Sequence, residues 1–431
     1  MSEHDGVTLC SIRWSEVFPW LSTLRSFRLA VTLRVLVLGA AGFLLMLLGW
    51  AVIGWMFSGS KLGDPLSPSP FGTASLWGLV DSAVPTDHVP PVWSSPVAVG
   101  DPKSPRYMGP FGGTWLQLSR PVWQVFKEDR VGLGALVCWV MAALWSLAVW
   151  AFFGGAISRI AAVQLASDEQ VGWGAALRWA ASKWLSYFGA PLFPLAGVVL
   201  LVLPLLVGGW IMYFNWGLLL AGLLWPLALV AGLIMALLLL GLIFGWPLMW
   251  ATISVEGTDT FDALSRAYAY VFQRPLRYLL YAILAAILGL LGWLLVENFA
   301  AGVIWLSLWG ASWGTGAARY GDILTGTDLG PLGGAGAALM AFWAGLIKLL
   351  ALGYFYGYFW TASTLIYYLL RRDVDATEMD EVFLEADQGE KQFNLPPLAA
   401  TEAAAAPAPQ AADTTKPGDG PETAAKPPAG E

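Results

Sequence analysis

The run from Pro191 to Ile253 contains no charged side chain. At ~1.5 Å of rise per helical residue it is long enough to cross a hydrocarbon layer of about 30 Å twice, with a tight turn near Gly208–Gly217. A water-soluble fold cannot bury so much apolar surface in one stretch, and further apolar runs lie on both sides of it. Of the 431 residues, 57% are hydrophobic and 12% charged, against roughly a quarter charged in soluble domains. The 25 tryptophans suit a protein with many membrane–water interfaces, where indole rings settle. The expected fold is therefore all-α: a polytopic integral membrane helical bundle of about six transmembrane helices, joined by amphipathic cytoplasmic elbow helices.

Taken in order, residues 1–34 read as a cytoplasmic tail with an amphipathic lead-in helix. Trp14, Phe18, Leu21, Leu24 and Phe27 give its apolar side, while Arg25 and Arg28 snorkel toward headgroups. The basic residues and the missing cleavage site argue against a removable signal peptide. Residues 35–372 form the membrane domain, with spans expected near 35–57, 131–153, 190–208, 222–250, 278–297 and 348–370. The segment 58–130 carries eleven prolines and many aromatics. It is expected to form an irregular cap on the outer surface, with a helix over Gln117–Lys127. Ser158–Phe188 reads as an elbow with Leu177, Ala181, Trp184 and Phe188 on one side, and Ser312–Gly336 as an outer loop. Residues 373–431 form a cytoplasmic tail, first an acidic stretch over Asp373–Glu390 that reads as solvated, then from Leu395 an Ala/Pro-rich part expected to be disordered.

The clearest elbow spans 259–273. Asp259 is placed to cap its N-terminus, and Phe261, Leu264, Tyr268, Val271 and Phe272 recur at helical spacing. Asp262 and Arg266 form an i,i+4 pair on the other face. Arg274 and Arg277 bracket Pro275, where the chain re-enters apolar sequence. Ala176-Leu177 and Ala180 of the earlier elbow repeat as Ala263-Leu264 and Ala267. A duplicated unit and a shared need for Ala and Leu at helical spacing account for this equally.

Basic residues concentrate in the tails and in the two inner connections. That pattern predicts both termini on the cytoplasmic side of the membrane. Catalytic groups are scarce. The two histidines, His4 and His88, sit in segments with no reason to meet a nucleophile, and no metal or phosphate motif is present. Cys10 and Cys138 suit neither a disulfide nor a metal site. No enzyme, cofactor or nucleic-acid partner is expected.

Two ionisable residues lie inside apolar runs. Counted from Arg277 and back from Arg371, Glu297 and Lys348 both lie roughly 30–35 Å along their helices. Pairing across spans 5 and 6 and separate snorkelling to water are both consistent with that depth. A substrate or proton path is the third reading, for which one acid and one base at the membrane edge make a poor relay. Gly353 and Gly357, with Gly39, Ala40 and Gly49 in span 1, predict a close helix–helix approach.

The segments VEGTDTFDALSRAYAYVFQRPLRYLLYA, FPWLSTLRSFRLAVTLRVL and YYLLRRDVDATEMDEV resemble a group of bacterial multi-spanning membrane proteins with a G-x-x-x-x-x-AL-x-R cytoplasmic elbow. They are similar, more distantly, to the membrane domain attached to some glycerophosphoryl diester phosphodiesterases. The resemblance implies a six-span inner-membrane protein and transfers no catalytic residue, since that chemistry resides in a separate soluble domain. The expected role is a non-catalytic membrane scaffold or accessory protein, with the lipid bilayer and a protein partner meeting its elbows or acidic tail. A small-solute transporter or channel, and a membrane anchor for a lipid-metabolism enzyme, are the alternatives.

Overall fold

The computed structural model describes residues 23–57, 108–127, 133–167, 169–325 and 329–383. These belong to one compact unit ending at Phe383. Trp14, Phe18, Leu21, most of the expected outer cap and the Ala/Pro-rich tail lie outside the described residues. Within them there are eleven helices and no strand. The helices are α1 (Thr23–Ala30), α2 (Leu33–Met56), α3 (Gly109–Lys127), α4 (Leu133–Ser167), α5 (Trp173–Ser182), α6 (Trp184–Ile211), α7 (Asn215–Glu256), α8 (Thr260–Gln273), α9 (Pro275–Thr315), α10 (Ala317–Thr325) and α11 (Gly330–Asp375). Six of them, α2, α4, α6, α7, α9 and α11, are long and apolar enough to cross a membrane. The chain is an all-α multi-pass bundle.

The bundle is built around α11. Every residue from Ala351 to Leu370 is buried, because α1, α2, α3, α4, α7, α8 and α9 all pack against this helix. Its closest neighbour is α2. A Cβ on Gly39 would collide with the Gly353 backbone, and one on Gly353 with the Leu36 backbone. The close approach expected from these glycines is therefore present. Aromatic side chains fill the remaining space. Trp150 and Phe43 stack on Tyr356 at 4.8 and 5.2 Å, and Trp250 stacks on Trp360 at 4.4 Å. By contrast α6 and α7 form a hairpin that leaves the bundle: between Val199 and Leu240, Gly217 alone is buried.

Several expected boundaries move. The spans placed at 222–250, 278–297 and 348–370 are parts of helices of 42, 41 and 46 residues. At ~1.5 Å per residue these run about 60–70 Å, twice a bilayer core, so they tilt or project beyond it. The expected outer loop at Ser312–Gly336 is mostly helix. Gly316 and Gly330, both at positive φ, separate α9 from α10 and begin α11, where Pro331 occupies the first turn and loses no hydrogen bond. The elbow expected at Ser158–Phe188 is divided: α4 continues to Ser167, α5 is a separate short helix, and α6 begins at Trp184.

The largest correction concerns the segment assigned to an outer cap. Its helix, α3, starts at Gly109 rather than Gln117 and packs among α4, α9 and α11. Phe111 meets Phe359 at 5.4 Å, and Thr114 and Gln117 are buried. Trp115 Nε1 donates to the Ile243 carbonyl at 3.0 Å, and the Tyr356 hydroxyl donates to Gln117 Oε1 at 2.6 Å. Proline content concealed this helix, although Pro110 sits in the first turn, where proline is tolerated. The lead-in helix α1 also differs from expectation. Its buried face is Thr23, Ser26, Leu29 and Ala30, and it rests on the middle of α11, with Phe27 edge-on to Tyr354 at 5.9 Å.

Replacing Gly353 with Leu should destabilise the protein by at least ~1–3 kcal/mol, the range for overpacked cores. Gly54→Ala, at a site with nothing within 4 Å, should be neutral. Equal melting temperatures for the two variants in detergent would rule out a tight α2–α11 seam.

Candidate functional site at the elbow end

The end of the bundle where α7 turns through α8 into α9 gathers most of the described ionisable side chains. Gly257 adopts a left-handed φ of 67° and closes α7, its N–H bonding back to Ile253. Asp259 then caps α8, its carboxylate accepting the Asp262 N–H at 3.1 Å. Helix α8 has three faces rather than two. Ala263, Ala267, Tyr270 and Val271 are buried against the bundle, Asp262 and Arg266 form the polar face, and Phe261 and Phe272 point outward, 61% and 45% exposed. The expected apolar stripe therefore divides, and its two phenylalanines face away from the protein core. Small residues at i,i+4 face inward in three of the short helices, α1, α5 and α8: Ser26 and Ala30, Ala176 and Ala180, Ala263 and Ala267. The spacing shared by the two elbows follows from this close packing.

The expected Asp262–Arg266 pair forms at 3.6 Å, but Arg266 makes a shorter contact, 2.7 Å, to Glu256. Glu256 is the centre of the site. Its carboxylate also takes Arg371 at 3.4 Å and the Tyr367 hydroxyl, so it joins the end of α7 to α8 and α11. Arg277 pairs with Asp373 at 3.1 Å, and the Tyr281 hydroxyl donates to the same carboxylate at 2.9 Å. The Tyr270 hydroxyl donates to Asp375. Burial first, then the nearby Asp375 carboxylate, pushes the Tyr270 phenol upward, which keeps it a proton donor. Burial raises Tyr268 to about 12, and its hydroxyl donates to the Leu238 carbonyl at 2.6 Å. Arg274 ends α8 and is exposed.

A second set of contacts locks the α5–α6 connection to this junction. Lys183, at the break between α5 and α6, donates to the Gly257 carbonyl at 2.6 Å, and Thr260 donates to the Ser186 carbonyl at 3.3 Å. The hydroxyls of Tyr187 and Ser254 share a hydrogen bond of 2.8 Å. Arg159, 6% exposed, donates to the carbonyls of Ser254 and Phe383, each at 2.7 Å, and lies 3.9 Å over the Trp179 ring. Residues 376–383, expected to belong to a solvated acidic tail, instead turn at Ala376 (φ 54°) and cross back over the site.

Sequence reasoning found Asp259, Asp262, Arg266, Arg274 and Arg277, and missed Glu256, Arg159, Arg371 and Asp373. Glu256 carried one legible signal, being the first charge after the long apolar run. Arg159 carried none, since its partners are backbone carbonyls distant in sequence. Glu297 and Lys348 are both half-buried, on α9 and α11. These helices are antiparallel, with Gly289 and Gly292 against Tyr358 and Tyr354, and Trp293 against Phe355 at 5.3 Å. Continuing that register brings Glu297 level with Lys348.

No group of three or more His, Cys, Asp or Glu side chains capable of holding a metal ion occurs among the described residues. Comparison with protein-family models, with curated proteins and with solved structures returned no match.

Glu256→Gln should cost several times more stability than Asp262→Asn. It strips charge compensation from Arg371, which is 12% exposed, whereas Asp262 is half exposed and its pair is worth at most ~1 kcal/mol. Thermal melts of the two variants make the comparison, and equal shifts would remove Glu256 from the centre. For Glu297 and Lys348, each single charge reversal should lower folded yield and the double swap restore it. A double variant no better than the singles would show that the two side chains do not pair.

Proposed function

We propose that this protein is a non-catalytic scaffold or accessory protein of a bacterial inner membrane, with both termini and the elbow end on the cytoplasmic side. The observation that carries this reading is α11, sheathed on every side from Ala351 to Leu370 by side chains of its own chain. A solute path normally leaves polar or broken helix at mid-bilayer. Here Pro204 and Pro226 lie on the exposed faces of the α6–α7 hairpin, and Pro194 is buried within an unbroken α6. The interior is instead filled by stacked tryptophan and tyrosine rings.

The elbow end supports the same reading. Its charges are largely satisfied by one another, which holds α5 and α8 as a fixed platform on which the C-terminal segment lies. The outward Phe261 and Phe272 suit lipid contact, and the exposed Gln273 and Arg274 remain available to a partner. The resemblance to the membrane domain of phosphodiesterases points to a lipid-metabolism enzyme as one such partner.

Reconstitution into liposomes tests the proposal. Vesicles holding the protein should retain small ions and neutral solutes as well as protein-free vesicles do. A photo-crosslinker at Gln273 should trap a discrete cytoplasmic or membrane partner in cells. Saturable solute flux, reduced by enlarging the side chain at Gly353, would instead make the protein a transporter.

A further inference from the structure

The segment after α11 occupies its place in a particular way. An α-helix leaves its last carbonyls without intrahelical donors, and α7 ends inside the protein, where those carbonyls need partners. Arg159 supplies the one for Ser254. The carbonyl of Val255 is satisfied by the backbone N–H of Phe383, at 2.8 Å, and the carbonyl of Phe383 in turn accepts from Arg159 at 2.7 Å. Both backbone groups of residue 383 are thus read by the protein, as in an added strand.

The side chains are read as well. The Phe383 ring lies 5.8 Å from the Trp179 ring and against Gly257, where even a Cβ would come within 2.8 Å of it. Glycine at 257 therefore serves both the left-handed turn and the seat of this ring. Two residues earlier, Glu381 is held through its carbonyl at 2.8 Å and its carboxylate at 3.3 Å by Arg371. Asp380 and the Glu381 side chain are exposed, and Val382 between the two anchors is half-buried. The segment rests on the rim of the core through Met379, Val382 and Phe383 while its acidic side chains face outward, a peripheral attachment of the kind that opens locally while its surroundings stay folded.

We propose that Glu381–Phe383 is a ligand the chain supplies to its own peptide-reading site. In its place the site docks an extended segment of a cytoplasmic partner that carries a carboxylate two residues before an aromatic ring. Trp179, Gly257, Arg159, Val255 and Arg371 form the site, and the resident residues define the chemistry it selects. Occupancy by the chain's own segment is an intramolecular competition. A short tether gives an effective concentration on the order of millimolar, so an outside peptide binds well once the resident is weakened. The identity of a natural partner rests on the scaffold reading, but the site does not.

The probe is a fluorescent peptide with the sequence of residues 377–385, added to the full-length protein in nanodiscs. The double variant Glu381→Ala/Phe383→Ala should bind it at least tenfold more tightly than the unaltered protein, and adding Trp179→Ala should abolish that gain. Equal binding to all three proteins would overturn the proposal. The unaltered protein provides a second test that needs no substitution. Saturating peptide should raise hydrogen exchange across 377–383, and unchanged protection there would also overturn it. Peptide binding together with solute flux in the liposome assay would leave this site standing and remove the scaffold reading.

Discussion

The structure depends on the contact between the backbones of α2 and α11. Lipid offers apolar helices no hydrophobic reward for meeting, so association in a bilayer relies on close van der Waals packing. Gly39 and Gly353 permit an approach that any side chain would block. Once α2 lies there, α11 becomes the axis about which the other helices are arranged. Its large aromatic residues then find partners on every side: Trp150 and Phe43 at Tyr356, Trp250 at Trp360, Trp293 at Phe355. A protein that places its bulkiest side chains at its axis has committed that axis to packing.

The elbow end is the counterpart of this packed centre. There the bundle meets polar surroundings, and the helices stop with unsatisfied backbone groups and charged residues at their ends. The solution is mutual. Arg159 and Lys183 serve the carbonyls that end α7, Glu256 gathers arginines from α8 and α11, and Asp373 takes Arg277 from α9. The α5–α6, α7–α8 and α8–α9 connections are held as one rigid piece, with the C-terminal segment laid across it. Such rigidity is what the proposed scaffold role needs, because a platform that keeps its shape can present a fixed surface. The peptide-like way in which Phe383 is bound extends the same logic from holding the chain's own end to holding another's.

Much of this was legible in the sequence. Membrane class, all-helical fold and six apolar helices followed from the length of charge-free runs, since no other structure satisfies its backbone inside lipid. The helix over 260–273, its Asp259 cap and the Asp262–Arg266 pair were legible because caps and i,i+4 pairs are local. What faced inward was less legible. Phe261 and Phe272 share the apolar arc of α8 with Ala263 and Ala267, and hydrophobicity alone favoured the larger residues as the buried ones. In a membrane the outside is apolar too, so size rather than polarity decides which face meets the neighbouring helix.

The amino-acid order by itself determined that the chain is a multi-pass helical membrane protein, where its best elbow lies, and which glycines admit a tight seam. Only the tertiary structure decided that α3 enters the bundle, that α11 is the axis, and that Glu256, Arg159, Arg371 and Phe383 converge. Each of these rests on contacts between residues far apart along the chain. Periodicity and spacing report on neighbours within a few turns, while the pairing of a buried arginine with a carbonyl more than two hundred residues away leaves no local trace.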